Sequence, residues 1–419
     1  MLRKAAAAIA LVATASTLVS AEISFDGINK TTLQQEIAGL ELNLPVPSFS
    51  ADKAKADKEW TIMVYVNGKN NLEPYALKDM NEMEQIGSSD KVNVVVEMGR
   101  ISGYSSADGD WKSTRRYLVQ KDNDTNKVTS PVLQDLGKTD MGDYNNVVKF
   151  VKWAQSAYPA KKYMLVVWNH GAGWVKSRNL VETRGISYDD ETGNHINTPQ
   201  MGLMMKAIGK IDVYGSDACL MQMPEVDYEI APYVDYIVGS EETEPGDGYT
   251  YNLLLGPLVK NPTMSAMELG KLAVNAYADH YGTQDHTQSL VKVSAMNGFV
   301  TAVNNFVTAA MAANEKALVK TALNGTQSYA YDDNKDLWHF LSLYAASSQD
   351  ANVKASAKTL QDYITNNLIV HNRVNSSYSN SHGIAVYLPS YSNSAAAYAE
   401  LAWAKAAQWD EFIKWYQAK

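Results

Sequence analysis

Along most of the chain, short uninterrupted apolar runs alternate with stretches of helical period. Trp60 to Val66 (WTIMVYV) is apolar, rich in β-branched residues, and stops at Asn67-Gly68, which suits a buried strand ended by a turn. From Leu72 to Ile86 the apolar Leu77, Met80, Met83 and Ile86 recur at three-residue steps and predict a helix. Val92 to Met98 reads as a second buried strand, Arg116 to Gln120 as an edge strand, and Tyr144 to Ala157 as a further helix. Three more apolar runs follow, at Tyr163 to Trp168, Ile211 to Tyr214 and Val234 to Val238. Strands that are apolar throughout and separated by helices predict a mainly parallel sheet covered on both faces, an α/β fold.

Beyond residue 260 the chain turns Ala-rich and mostly helical, through about Asn314 and again from Ser356 to Leu368. Strands are expected there at Ser289 to Ala295 and at Gly383 to Leu388, with Pro389 closing the second. Trp403, Trp409, Phe412 and Trp415 in the tail fall at helical spacing and read as packing surface. At the other end, Arg3 and Lys4 precede the uncharged run Ala5 to Val19, and Val19-Ser20-Ala21 supplies small residues for cleavage. That order predicts a signal peptide over residues 1–21 and an exported protein, secreted or periplasmic. The run is shorter than the roughly 20 residues a membrane span needs, and no other uncharged segment approaches that length. Residues 22–58 are polar and without period, a propeptide or linker. The expected organisation is therefore a leader, this linker, an α/β domain over 59–260, and a mostly helical C-terminal region with added strands over 261–419.

Composition narrows the partners. The 419 residues carry a formal net charge of −9, which becomes −11 once Arg3 and Lys4 leave with the leader. No basic stripe is present, which argues against nucleic acid as a partner. The chain holds a single cysteine, Cys219, so an exported form has no internal disulfide to make while keeping a thiol open to oxidation. A lone cysteine is also compatible with an inert core residue.

The strand ends decide between those readings. In open parallel sheets, ligands bind beyond the carboxyl ends of the strands. Here three successive strands run into Asn169-His170-Gly171, into Gly215-Ser216-Asp217-Ala218-Cys219, and into Gly239-Ser240-Glu241-Glu242. A cysteine peptidase needs a thiolate, a base that makes it and then protonates the leaving amine, and donors for the oxyanion. Cys219 supplies the first and His170 the second; the backbone N–H groups of Gly171 and Cys219 are placed to supply the third. His170 precedes Cys219 by 49 residues, close to the spacing in caspase-type peptidases. Asp217, two residues before the cysteine, is expected on the same face of the strand. A carboxylate there hinders thiolate formation, a liability that a role in holding a cationic substrate side chain explains. Asp247 lies on the third strand-end loop and could complete such a pocket; it also fits an ordinary Asp-Gly turn.

Trp168-Asn169-His170-Gly171-Ala172-Gly173-Trp174 and Gly215-Ser216-Asp217-Ala218-Cys219-Leu220-Met221 resemble the two signature segments of the clostripain family of cysteine peptidases. Asn70-Asn71-Leu72-Glu73, Arg184-Gly185-Ile186-Ser187-Tyr188-Asp189-Asp190 and Ser240-Glu241-Glu242 are similar to further family segments. The resemblance is close over about Glu59 to Tyr251 and loose in the C-terminal third. It implies a caspase-like α/β/α sandwich, a Cys219/His170 dyad, and Asp217 and Asp247 as the acids of the S1 pocket. It further implies protein or peptide substrates cut after Arg or Lys, and activation by internal proteolysis at Arg184–Gly185. That bond falls in Gly171 to Pro199, a polar stretch expected to be a surface loop, which also holds Lys176 and Arg178. Calcium dependence occurs in the family, but no loop with EF-hand spacing is present, and no other cofactor or metal is expected.

His195, His280, His286, His339 and His371 sit in polar or mixed surroundings and read as surface or packing residues. His382-Gly383 repeats the His-Gly step, but it precedes its expected strand and so should lie at the opposite edge from Cys219. Two further readings stay open: a catalytically silent relative used for binding, and a peptidase or transpeptidase without preference for a basic residue. The intact dyad counts against the first and the acidic pair against the second.

Overall fold

The computed structural model describes residues 58–174, 185–390 and 395–418. The expected leader and nearly all of the expected linker lie outside these residues. The chain divides into Met1–Ala54 and one compact unit from Lys55 to Lys419, so the residues beyond 260 belong to the same unit as those before it.

Thirteen strands are present among the described residues: β1 (Lys58–Gly68), β2 (Val92–Arg100), β3 (Thr114–Leu118), β4 (Val132–Asp135), β5 (Ala160–Trp168), β6 (Ile186–Asp189), β7 (Asn194–Ile196), β8 (Ile211–Asp217), β9 (Val234–Gly239), β10 (Thr287–Lys292), β11 (Asn334–Asp336), β12 (Ile369–Val374) and β13 (Ala385–Tyr387). Nine of them form one sheet in the order β12-β10-β9-β8-β5-β1-β2-β3-β4. Its centre, β9-β8-β5-β1-β2, is parallel throughout. Two antiparallel strands extend each side: β3 and β4 beyond β2, β10 and β12 beyond β9.

Alternation along β1 sorts the core into two layers. Ile62, Val64 and Val66 point into one, with Met164, Val166 and Trp168 of β5. That layer is closed by the helices Glu73–Ile86, Tyr251–Lys260 and Ala266–Tyr281, through Met80, Met83, Leu254 and Tyr277. Met63 and Tyr65 point into the other layer, with Leu165 and Val167, under the helices Tyr144–Ala157, Thr198–Ile208 and Met296–Ala313. Side chains on both strand faces are buried, as uninterrupted apolar runs require, and the result is the expected α/β/α sandwich. The aromatic tail also packs as expected, since Trp403, Trp409 and Phe412 are fully buried.

Three expectations are corrected. Gly171 to Pro199 is not wholly a surface loop. β6 and β7 pair as a hairpin whose Ile186 and Ile196 are completely buried, and Gly171 bridges to Ile186. Each of these strands carries few apolar residues, too few to register as a buried run. Second, β13 does not enter the main sheet but pairs with β11 alone, so the strand-direction argument about His382 loses its premise. Third, Asp217 and Cys219 do not share a face. β8 ends at Asp217, so its alternation does not extend to Cys219. Asp217 bonds to Tyr249 and Tyr251 in one layer, while Cys219 borders the other.

Candidate active site

His170 and Cys219 each stand two residues beyond the end of a strand, and those strands are neighbours. The parallel ladder pairs Trp168 with Asp217, and the Asn169 N–H extends it by donating to the Asp217 carbonyl at 3.2 Å. The two chain ends therefore leave the sheet level with each other. Gly171 comes so close to the second end that a Cβ there would run into the Cys219 carbonyl oxygen and stand 3.0 Å from the Ala218 Cβ. Only glycine fits. The bridge to Ile186 uses the His170 carbonyl and the Ala172 N–H, and leaves the Gly171 N–H out. Neither that N–H nor the Cys219 N–H bonds another residue among the described residues.

The Cys219 sulfur is partly buried and accepts from the Glu244 N–H at 3.3 Å. Burial pushes the thiol up to about 11; the Glu244 N–H opposes this, and the Glu244 and Glu242 carboxylates add to it. Burial likewise holds His170 below its usual value, with Asp190 pulling the other way. At neutral pH the two groups are thus a thiol and a neutral imidazole, not a thiolate and an imidazolium. Alkylation of the intact single chain by iodoacetamide should follow the small thiolate fraction, rising about tenfold per pH unit from pH 7 to near 10. A rate that levels off below pH 8 would mean the thiol is already ionised.

Asp217 is almost wholly buried, accepting from the Tyr249 N–H at 3.0 Å and from the Tyr251 hydroxyl at 2.8 Å. Burial raises its carboxyl to about 7 even though both hydrogen bonds lower it. The buried carboxyls of Asp79 and Glu244 are held well above the carboxylate range, first by burial and next by the charge of Asp217. Asp247 lies on the same loop as Glu244 and Tyr249, half-exposed, and pairs with Lys78 at 2.7 Å. A cationic side chain reaching Asp247 would have to displace or join that ammonium group.

Gly185 is described and Arg184, Lys176 and Arg178 lie outside the described residues. Gly185 adopts φ +116°, its N–H donates to the Gly173 carbonyl at 2.9 Å, and a Cβ would strike the Ile196 carbonyl oxygen. His382 is engaged elsewhere: its ring stacks on Trp338 at 4.1 Å, and Nδ1 faces the Asn380 carbonyl at 2.9 Å and Asp336 at 3.2 Å.

Three neighbours of His170 and Cys219 escaped the sequence. Asn71 Oδ1 lies 2.7 Å from His170 Nε2. Glu244 touches the sulfur through its backbone. Tyr331, from the C-terminal third, has its hydroxyl pKa raised first by burial and then by the charge of Cys219. Asn71 falls in a segment that carried the family resemblance and lies three residues past the end of β1, the strand beside that of His170, but only the strand order reveals it.

A sandwich that delivers histidine and cysteine from the ends of adjacent parallel strands has the frame of a caspase-like cysteine peptidase. The sequence profile of the clostripain family matches residues 64–416, and the chain belongs to that family of cysteine peptidases. Clostripain of Hathewaya histolytica is 29% identical over 225 residues, which is 48% of this chain and 43% of that protein; the match thus spans less than half the relative's length. A secreted C11 cysteine protease from Bacteroides thetaiotaomicron, solved with an irreversible peptide inhibitor, superimposes with a TM-score of 0.64 at 22% identity. An inactive zymogen C11 protease from Parabacteroides distasonis gives 0.63 at 17%. Each superposition covers 84% of this chain and 99% of the other. At these identities the likeness is one of fold.

Proposed function

We propose that this chain is an exported cysteine endopeptidase that cleaves after Arg or Lys, with Cys219 as nucleophile and His170 as general base. The observation that carries this reading is the level ending of β5 and β8, with neither the Gly171 nor the Cys219 N–H bonded to another residue among the described residues. His170 takes the thiol proton as sulfur attacks the scissile carbonyl, and returns it to the leaving amine; water then hydrolyses the thioester. The two N–H groups receive the oxyanion, and removing one such donor typically costs about 2.7–4 kcal/mol of transition-state stabilisation. Asp217, buried and half-titrated near neutrality, receives the cationic side chain, with Asp247 nearer the entrance. The secreted description belongs to the Bacteroides relative; for this chain export rests on the leader. No helix of the described residues is long and apolar enough to cross a membrane. No group of three His, Cys, Asp or Glu side chains among them is arranged to hold a metal ion.

A panel of fluorogenic peptides differing only at P1, with and without a thiol alkylator, tests the reading. Hydrolysis confined to Arg and Lys peptides and abolished by alkylation supports it. Equal hydrolysis of Leu peptides removes the acidic pocket, and activity that survives alkylation removes the cysteine. Activation is the second part of the reading. Self-cleavage at Arg184–Gly185 requires pulling Gly185 away from Gly173, because an extended substrate strand cannot keep that hydrogen bond. N-terminal sequencing of the active species should find a fragment beginning at Gly185, missing in Cys219→Ala. A fully active chain with that bond intact would overturn the activation step alone.

A further inference from the structure

We infer that Asn71 is the positioning residue of His170, holding the imidazole with its proton on Nε2 so that the Nδ1 lone pair is left for the Cys219 thiol. The inference rests on the dyad reading above. It starts from one contact: Asn71 Oδ1 lies 2.7 Å from His170 Nε2. An amide oxygen can only accept, so the nitrogen facing it must carry the proton, and in a neutral ring the other nitrogen is then the base.

The sheet explains why Asn71 can do this. β1 and β5 are hydrogen-bonded neighbours, with Val66 paired to Trp168, and both Asn71 and His170 lie just past those ends. Each is pinned through the residue before it. Asn70 donates from Nδ2 to the Tyr188 carbonyl at 2.8 Å and accepts from the Leu72 N–H at 3.0 Å. Asn169 accepts from the Tyr188 N–H at 2.7 Å and donates to the Asn67 carbonyl at 2.6 Å. Asn67 closes the set by donating to the Tyr188 carbonyl at 3.0 Å. Tyr188 is thus gripped from both strand ends, and the helix Glu73–Ile86 begins immediately after Asn71, with the Glu73 N–H on the Asn70 carbonyl. Asn71 is itself exposed, but its backbone is fixed on both sides, and only two side-chain torsions remain to be held.

The chemistry favours an amide here over a carboxylate. A carboxylate would stabilise the imidazolium and raise the ring's pKa; an amide orients the ring and leaves it neutral. The charged group acting on His170 is Asp190, from the segment after β6, and the Cys219 thiol stands two residues past the end of the neighbouring strand. Asn71 adds orientation without adding charge.

The test compares Asn71→Ala, Asn71→Asp and His170→Ala in the full chain. Asn71→Ala should lower kcat on an Arg peptide by about 10- to 100-fold with KM little changed, as loss of an orienting partner does elsewhere. Asn71→Asp should recover most of kcat and move the acid limb of the kcat profile, measured at saturating peptide, up by a unit or more, since a carboxylate now faces the ring. A purely structural residue would give neither the recovery nor the shift. Histidine 15N shifts in Cys219→Ala give a readout free of activity: the Nε2–H tautomer of His170 should dominate, and a mixture should appear when Asn71→Ala is added. Wild-type kcat and pH profile in a folded Asn71→Ala, or a dominant Nδ1–H tautomer, would overturn the inference. If Asn71→Ala does not fold, an active Asn71→Asp with an unshifted acid limb overturns it as well. A fully active His170→Ala would instead overturn the dyad reading.

Discussion

Cys219→Ala is expected to leave no measurable peptide hydrolysis, with a melting temperature within a degree or two of the parent. The sulfur is the only atom that can form the thioester, whereas its loss from the fold removes two weak contacts with the Glu244 backbone. His170→Ala should be nearly as damaging. With the thiol pushed to about 11, very little thiolate exists at neutral pH unless a base takes the proton during attack. Each single variant should lose at least about 10⁴-fold in kcat, and the double variant should be hardly worse than either, because members of one catalytic unit do not contribute additively. Single-site losses that multiply in the double variant would show that the two residues act separately. His382→Ala should keep most of the activity, since its ring is committed to Trp338 and Asp336. A dead His382 variant alongside a live His170 variant would reverse the assignment.

Peptides with Arg at P1 should exceed Leu peptides in kcat/KM by roughly 10³-fold or more, because a site built around a buried carboxyl rejects a side chain that leaves it unpaired. Asp217→Asn should remove roughly 10²- to 10³-fold of that preference, the usual cost of breaking a buried charge pair. It should do so with little loss of stability, since an amide oxygen still accepts from the Tyr249 N–H. The pH dependence has a definite sign. Asp217 is raised, to about 7, so its carboxyl is protonated below that pH and ionised above it. Binding energy from a cationic side chain is therefore fully present well above pH 7 and is lost as pH falls through it. Calorimetry of an Arg peptide against Cys219→Ala isolates binding from the chemistry of His170. Affinity should weaken between pH 8 and pH 6, and the dependence should flatten when Asp217→Asn is added. A Kd independent of pH in the Asp217 protein would place the cation elsewhere.

The central strands were legible because burial on both faces forces a continuous apolar run, and β1, β2, β5, β8 and β9 each carry one. Edge strands obey no such rule. β4 is exposed along its whole length and β12 is half-exposed at every residue, and neither was foreseen. The hairpin of β6 and β7 was missed for a related reason, as Ile186 and Ile196 bury themselves singly. At the candidate site, Cys219, His170 and Gly171 could be placed from sequence because each follows an apolar run directly. Asp217 was given the wrong face because alternation was carried past the last residue of β8. Asn71 and Glu244 could not be placed without the strand order, which brings β1 beside β5 and the loop after β9 over the end of β8. The same gap misled the sequence argument about His382: a short strand paired with β11 says nothing about which edge of the main sheet it borders.

The level pairing of Trp168 with Asp217 keeps the two strand ends together without requiring an unbroken chain between them. A main-chain ladder does that, and β1 and β9 lock the pair from either side. A cut at Arg184–Gly185 would yield two polypeptides with no disulfide between them, since the chain has only one cysteine, yet they would remain one folded body. The interval of 49 residues is accordingly free to vary in length outside Gly171, Ile186 and Tyr188, which hold the strand ends. Insertions, deletions or nicks there can be selected for control of access while the distance between sulfur and imidazole stays as the sheet sets it.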